Sequence, residues 1–282
     1  MTVRESVQKS GPVTTGVGTA GRPRRVVRAV LRSASSYVGL GLCLVVWWFI
    51  SAVYLPSSNP TAATLLPNPI TVINTATGMV IDGSLLEHVL ASLKRVAIGF
   101  GAATLLAIPL GIAMGWWKLV YRQVDPIMEF LRPIPPLAWI PLSILWFGIG
   151  DLQNQFIIFL GVFFPVLVNT ISAVRSVEPV LVRAGLSLGA GPFQLLRGVI
   201  VPASLPGIFT GMRVGLGVGW MALVAAELVA ARSGLGFLIN DSRFVFRTDK
   251  VLVGMAVIGI LGLIMDRLLR RLQSWLTPWS VR

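Results

Sequence analysis

Apolar runs of about twenty residues recur along this chain, each long enough to cross a bilayer as a helix. Lipid offers no hydrogen bonds to a backbone, so such runs are expected to be helical. Six spans are read, at about 36–55, 92–116, 126–149, 155–174, 207–231 and 250–269. Charged residues make up only 12% of the chain, about half of what a soluble domain carries. A β-barrel would show short alternating segments instead. The expected class is an all-α polytopic membrane protein.

Charge sets the expected orientation. The chain carries 24 Lys+Arg against 11 Asp+Glu, a net +13. In a soluble protein that excess suggests nucleic acid. Here it fits loops retained on the cytoplasmic side, and no nucleic-acid partner is expected. Residues 1–35 read as a basic, disordered cytoplasmic tail that ends in Arg22, Arg24, Arg25, Arg28 and Arg32. The run behind it exceeds a signal-peptide h-region and reads as an uncleaved anchor at the head of a membrane domain, 36–282. With the N-terminus inside, Lys118, Arg122, Arg267, Arg270 and Arg271 also fall inside, as does the C-terminus. Ser33 to Leu93 lacks Lys and Arg and falls outside. The loop with Arg232, Arg243, Arg247 and Lys250 also falls outside, against the trend. Cys43 has no partner for an intrachain disulfide. His88 has no second ligand at helical spacing and reads as a surface loop residue, so no metal is expected.

The third span contains LRPIPPLAWIP, with Pro133, Pro135, Pro136 and Pro141. A regular helix cannot run through this, because proline lacks the donor and strikes the preceding turn. Two readings stand, and both can hold together. Either a short helix begins after Pro136, or the break forms the kinked wall of a pathway, where broken backbone is tolerated beside protein or water.

A different pattern fills 177–202, which the topology places in the cytoplasm. Val177, Val180, Leu181, Ala184 and Leu188 share one helical face. Gly189 and Gly191 break that helix, and Pro192 suits the first position of a second. Phe193, Leu196 and Ile200 give the second an apolar face, and Pro202 and Pro206 are expected to stop it. On pattern alone this is either a pair of helices resting on lipid headgroups or a protein interface.

The spacing resembles the EAA loop of ABC importer permeases, which reads E-A-A, three residues, G, nine residues, I-x-L-P. Arg183, Ala184 and Gly185 stand in its first three places and Gly189 in the glycine place. Val199, Val201 and Pro202 stand in the I, L and P places. The motif's acid is Arg183 here, and its second alanine is Gly185. Three further stretches, RPIPPLAWIPLSILWFGIG, GVFFPVLVNT and GLGVGWMALVAAELVAARSGLGFLI, resemble the taurine, aliphatic sulfonate, nitrate and bicarbonate branch, taurine permeases most of all.

The resemblance implies a type I importer permease fold, MetI-like, with a cytoplasmic coupling helix. It implies a homodimer in the bacterial plasma membrane, two ATP-binding subunits on the cytoplasmic side and an extracytoplasmic solute-binding protein. Arg183, Ala184, Gly185, Ser187, Leu188, Gly189, Arg197 and Pro202 would form the ATPase-coupling interface. The chain has no G-x-x-x-x-G-K-[ST], so ATP and Mg belong to the partner and this chain is not an enzyme.

Charges inside a membrane are costly and usually face the bundle interior. Arg132, Arg213 and Glu227, with Trp139 and Trp220, are the candidate translocation path; interhelical bonding is the alternative for each charge. Gly211, Gly215 and Gly219 form a small-residue face for either a dimer or an internal contact. An ion-gradient transporter would show repeated interrupted spans, and only one is found. A membrane enzyme would need a His/Asp/Glu cluster or an activated nucleophile, and the sequence offers none.

Overall fold

The computed structural model describes residues 39, 41–54 and 65–280, and every regular element among them is helical. In chain order these are α1 (Gly41–Val53), α2 (Pro69–Ile81), α3 (Ser84–Trp116), α4 (Lys118–Leu131) and α5 (Ile140–Phe147). There follow α6 (Asp151–Arg175), α7 (Pro179–Ser187), α8 (Pro192–Ala230), α9 (Leu235–Phe244) and α10 (Thr248–Leu276). Four of them, α3, α6, α8 and α10, are long and apolar enough to cross a membrane. The pair α4 and α5, bent by 81°, makes a broken fifth. The basic tail at 1–35 lies outside the described residues. So does part of the first expected span, whose described portion is the short apolar helix α1.

Helix α6 is the axis of the bundle, and small residues let two neighbours close on it. On α3, Gly99, Gly111 and Gly115 meet Ile158, Thr170 and Val174; a Cβ at these glycines would fall 2.6–2.8 Å from those side chains. On α8, a Cβ at Gly211 would meet Asn169 at 2.6 Å and one at Gly219 would meet Val162 at 2.7 Å. Gly215 sits on Val162 and Val166. The glycine face of α8 is therefore an internal contact. Close backbone approach favours helix association where lipid removes the hydrophobic drive. Around the stripes Ala103, Ala107, Met114, Val162, Leu167 and Leu223 are buried. A second core joins Val72 and Met79 of α2 to Leu235 and Leu238 of α9 and Val253 of α10. The outer face of α10 leaves Met255, Ile260, Leu263 and Leu268 exposed.

Three local expectations change. Helix α3 begins at Ser84, two turns before the expected start near 92. His88 is thus a partly buried helical residue, not a loop residue, and its Nδ1 accepts the Gly234 N–H at 3.2 Å. Pro202 and Pro206 do not stop the helix either: α8 runs unbroken through both. A π turn at Leu196–Ile200 precedes them, with the Val201 N–H bonded five residues back to the Leu196 carbonyl. Such a wide turn absorbs the bond a nearby proline cannot make.

Candidate functional site

At one end of the bundle α7 and the start of α8 form a helical hairpin. Helix α7 closes with Gly189 at φ +79°, the left-handed region where glycine carries no side-chain penalty. The Ala190 N–H reaches the Gly185 carbonyl at 3.1 Å and the Gly189 N–H reaches Leu186 at 2.9 Å, the paired bonds of a Schellman cap. Gly191 then opens α8, with Pro192 in its first turn, and the Gly191 N–H donates to Gln194 Oε1 at 2.9 Å. Gly185 lets the two arms meet, since a Cβ there would fall 2.6 Å from Leu195 Cδ1.

The hairpin is rooted through Leu196 and Ile200, which pack on Val174 of α6, with Ile112 and Trp116 of α3 alongside. Its outer surface is apolar and open. Leu188 is 89% exposed, Phe193 71% and Leu186 56%. The face expected from the sequence turns outward, with Val180 and Leu181 exposed, while Val182 and Gly185 face the protein. Of the expected interface residues, Arg183, Ala184, Ser187, Leu188, Gly189 and Arg197 are exposed at this surface. Gly185 and Pro202 are half-buried behind it.

Beside α6 lie two adjoining cavities of about 350 and 490 Å³. The short-helix reading of the proline-rich span holds, and the break borders a cavity. A tight turn at Pro136–Trp139 starts the short helix, and the break puts Arg132, Ile134, Pro135 and Pro136 on the wall of the first cavity. Leu160, Phe164 and Val168 of α6 face it. The second, lined by Tyr121, Asp125, Ser172 and Arg175, continues toward the hairpin. Arg132 and Val168 border both. The other four path candidates line neither. Trp139 packs on Ile140 and Ile157. Trp220 is buried in the main core. Arg213 pairs with Asp266 of α10 at 2.7 Å.

Glu227 sits at the end away from the hairpin, inside a closed network. Its Oε1 accepts Arg95 Nη1 at 2.7 Å and Ser92 Oγ at 2.8 Å; its Oε2 accepts the Gly236 N–H at 2.8 Å. Arg95 also donates to the Ser233 carbonyl at 2.6 Å and to Asp151 Oδ1 at 2.8 Å. Ser92 Oγ accepts the Leu235 N–H at 2.8 Å. The first free N–H groups of α9 are thus capped, and a carboxylate stands where the helix dipole favours it. Gly234, at φ +117°, admits no side chain because a Cβ would collide with Glu227. Sequence reasoning named Glu227 but missed Arg95, Ser92 and Asp151. The signal was present: Arg95 lies inside an apolar run, where a charge demands a partner.

The family described as binding-protein-dependent transport system inner membrane component matches residues 107–278. The taurine transport system permease protein TauC of Escherichia coli K12 is 44% identical over 242 residues, covering 85% of this chain and 87% of that relative. The nitrate import permease protein NrtB of a Synechocystis is 33% identical over 250 residues, covering 86% and 88%. In fold, a chain of the MetNI methionine ABC transporter in inward-facing form superposes with a TM-score of 0.61 at 21% identity, covering 68% of this chain and 96% of that one. The sequence match extends through the hairpin, the proline-broken span and the Glu227 turn alike. The chain therefore belongs to the inner-membrane components of binding-protein-dependent transport systems, as an ABC importer permease and a transport component rather than an enzyme.

Proposed function

We propose that this permease moves a small sulfonate, taurine or an alkanesulfonate, into the bacterial cytoplasm. The observation that carries the reading is the hairpin. It is a rigidly capped pair of helices whose large apolar side chains face away from the rest of the chain. Exposed patches of that kind mark a protein interface. Its partner is an ATP-binding subunit, which supplies ATP and Mg chemistry that this chain lacks. Two such subunits serve a homodimer of this chain, and an extracytoplasmic binding protein delivers the solute. The hairpin end and both termini face the cytoplasm. Lipid covers α10. Closure of the ATPases shifts the hairpin, and the bundle alternates between two arrangements. Of the five path candidates, the location of Arg132 favours it most, because both cavities border it. Nitrate or bicarbonate is the alternative cargo, supported by the similarity to the nitrate permease.

The test is reconstitution in vesicles with an ATP-binding subunit and a solute-binding protein. ATP is supplied to the hairpin face and the loaded binding protein to the other. Taurine should be taken up and should stimulate ATP hydrolysis. Stimulation by nitrate or bicarbonate alone would transfer the assignment to that anion. No uptake in this orientation would overturn the importer reading.

A further inference from the structure

We propose that the two cavities beside α6 are a single route, and that Arg132 and Arg175 give it a transient site for an oxyanion head group. This rests on the importer reading above. The cavities share Arg132 and Val168, and their α6 walls run from Leu160 to Arg175, about 22 Å along the helix. The wall changes character on the way. Ile134, Pro135, Leu160 and Phe164 make the far part apolar, while Tyr121, Asp125, Ser172 and Ser176 make the part nearer the hairpin polar.

Two cations line this route against one carboxylate, Asp125. What distinguishes them is how they are held. Arg95 is held by Glu227 and Asp151, and Arg213 by Asp266, so those charges are neutralised within the chain. Arg175 is placed without an acid partner among the described residues. Its guanidinium lies 3.7 Å over the Tyr121 ring, and Nη2 donates to the Met114 carbonyl at 3.4 Å. The Arg132 side chain has no carboxylate partner among the described residues and stands at the junction. Asn169, which lines the first cavity with it, commits its amide donor to the Pro165 carbonyl at 2.8 Å. A guanidinium has five donors in a planar fork that matches an oxyanion. Two of them along a passage, with Asp125 as the one carboxylate beside them, leave a net positive charge that suits an anion which must bind weakly and leave. An anionic lipid headgroup offers the same chemistry and is the competing source.

The experiment uses the assembled importer in vesicles of phosphatidylcholine alone and of phosphatidylcholine with phosphatidylglycerol. Taurine uptake per ATP hydrolysed is read for Arg132→Gln, Arg132→Lys and Arg175→Gln. Lys118→Gln, which lines neither cavity, serves as the control. Losing one charge-assisted bond should lower coupled uptake about ten-fold in Arg132→Gln, less in Arg175→Gln and in Arg132→Lys, which keeps the charge without the fork, and spare the control. The loss should be equal in both lipids. Arg132→Lys keeps the test decisive if Arg132→Gln fails to assemble, since a lysine variant as defective as a misassembled one would also count against a charge role. Coupled uptake in Arg132→Gln within about two-fold of the wild type would overturn the proposal. So would a defect seen only with phosphatidylglycerol, which would give the arginines to lipid. A wild-type importer whose ATP hydrolysis is stimulated by none of taurine, nitrate or bicarbonate would instead sink the importer reading, and this site with it.

Discussion

The two ends of the bundle are built on opposite terms. At the α9 end the buried charges are answered inside the chain: Glu227 by Arg95, Ser92 and Gly236, Arg95 by Asp151 and Ser233, and the start of α9 by side chains. At the hairpin end the largest apolar groups and two arginines, Arg183 and Arg197, are left open. The first end is complete by itself. The second leaves apolar surface open. Burial of a charge pair fixes geometry at the expense of tolerance, because one member cannot be removed without stranding the other. An exposed apolar knob does the reverse, costing the isolated chain little and giving a partner a place to bind.

This contrast is broken most sharply at Glu227. Glu227→Ala should leave Arg95 held only by Asp151 and Ser233 and strip the acceptor from Ser92 and Gly236, lowering stability by about 3 kcal/mol, read as thermal unfolding of the detergent-solubilised permease. Glu227→Ala combined with Arg95→Ala should cost less than the two single changes summed. Unchanged melting in the single variant would mean that this end is not self-contained, and would return Glu227 to the transport path.

A middle-sized effect belongs to Gly189. It has open space around it but a φ of +79°, so Gly189→Val strains the backbone without a clash. The cost should be about 1–2 kcal/mol of local stability, enough to open the hairpin while α6 and its neighbours stay packed. Copurification of the ATP-binding subunit should fall sharply while the melting temperature changes little. Full retention of the subunit would place the docking surface elsewhere.

The smallest structural effect should come from Leu188→Ser. At 89% exposure, Leu188 contributes almost nothing to the fold, so stability should stay within about 0.5 kcal/mol. Affinity for the ATP-binding subunit should nevertheless drop. A variant that loses stability and keeps its partner would invert the comparison between the two ends.

Features carried by local spacing were legible in the sequence. Gly189 and Pro192 announced the hairpin turn, because backbone sign and fixed φ act within a few residues. The proline cluster announced the broken span for the same reason. What escaped depended on a second segment. Glu227 meets Arg95 across 132 residues, and nothing near either one names the other. The glycine face of α8 was visible, but its destination on α6 was not. The matching face of α3, Gly99, Gly111 and Gly115 around Ala103 and Ala107, carries the same four-residue spacing and went unread. Pro202 and Pro206 misled because proline's local effect was overruled by a wide turn that only the folded helix displays.

Helix α8 joins the two ends as a single rod. Its 39 residues span about 58 Å, from the hairpin to Ala230, just past Glu227. The wide turn at Leu196–Ile200 is a joint close to the hairpin, and Pro206 is the last proline along the shaft. Beyond them the shaft is stiffened by its glycine seam on α6. A rod of that length works as a lever: a tilt of about five degrees at one tip carries the other about 5 Å. A nudge too small to disturb packing beside the hairpin is thereby amplified at the far end. There the closed charge network supplies either a pivot that resists the stroke or a catch that lets go.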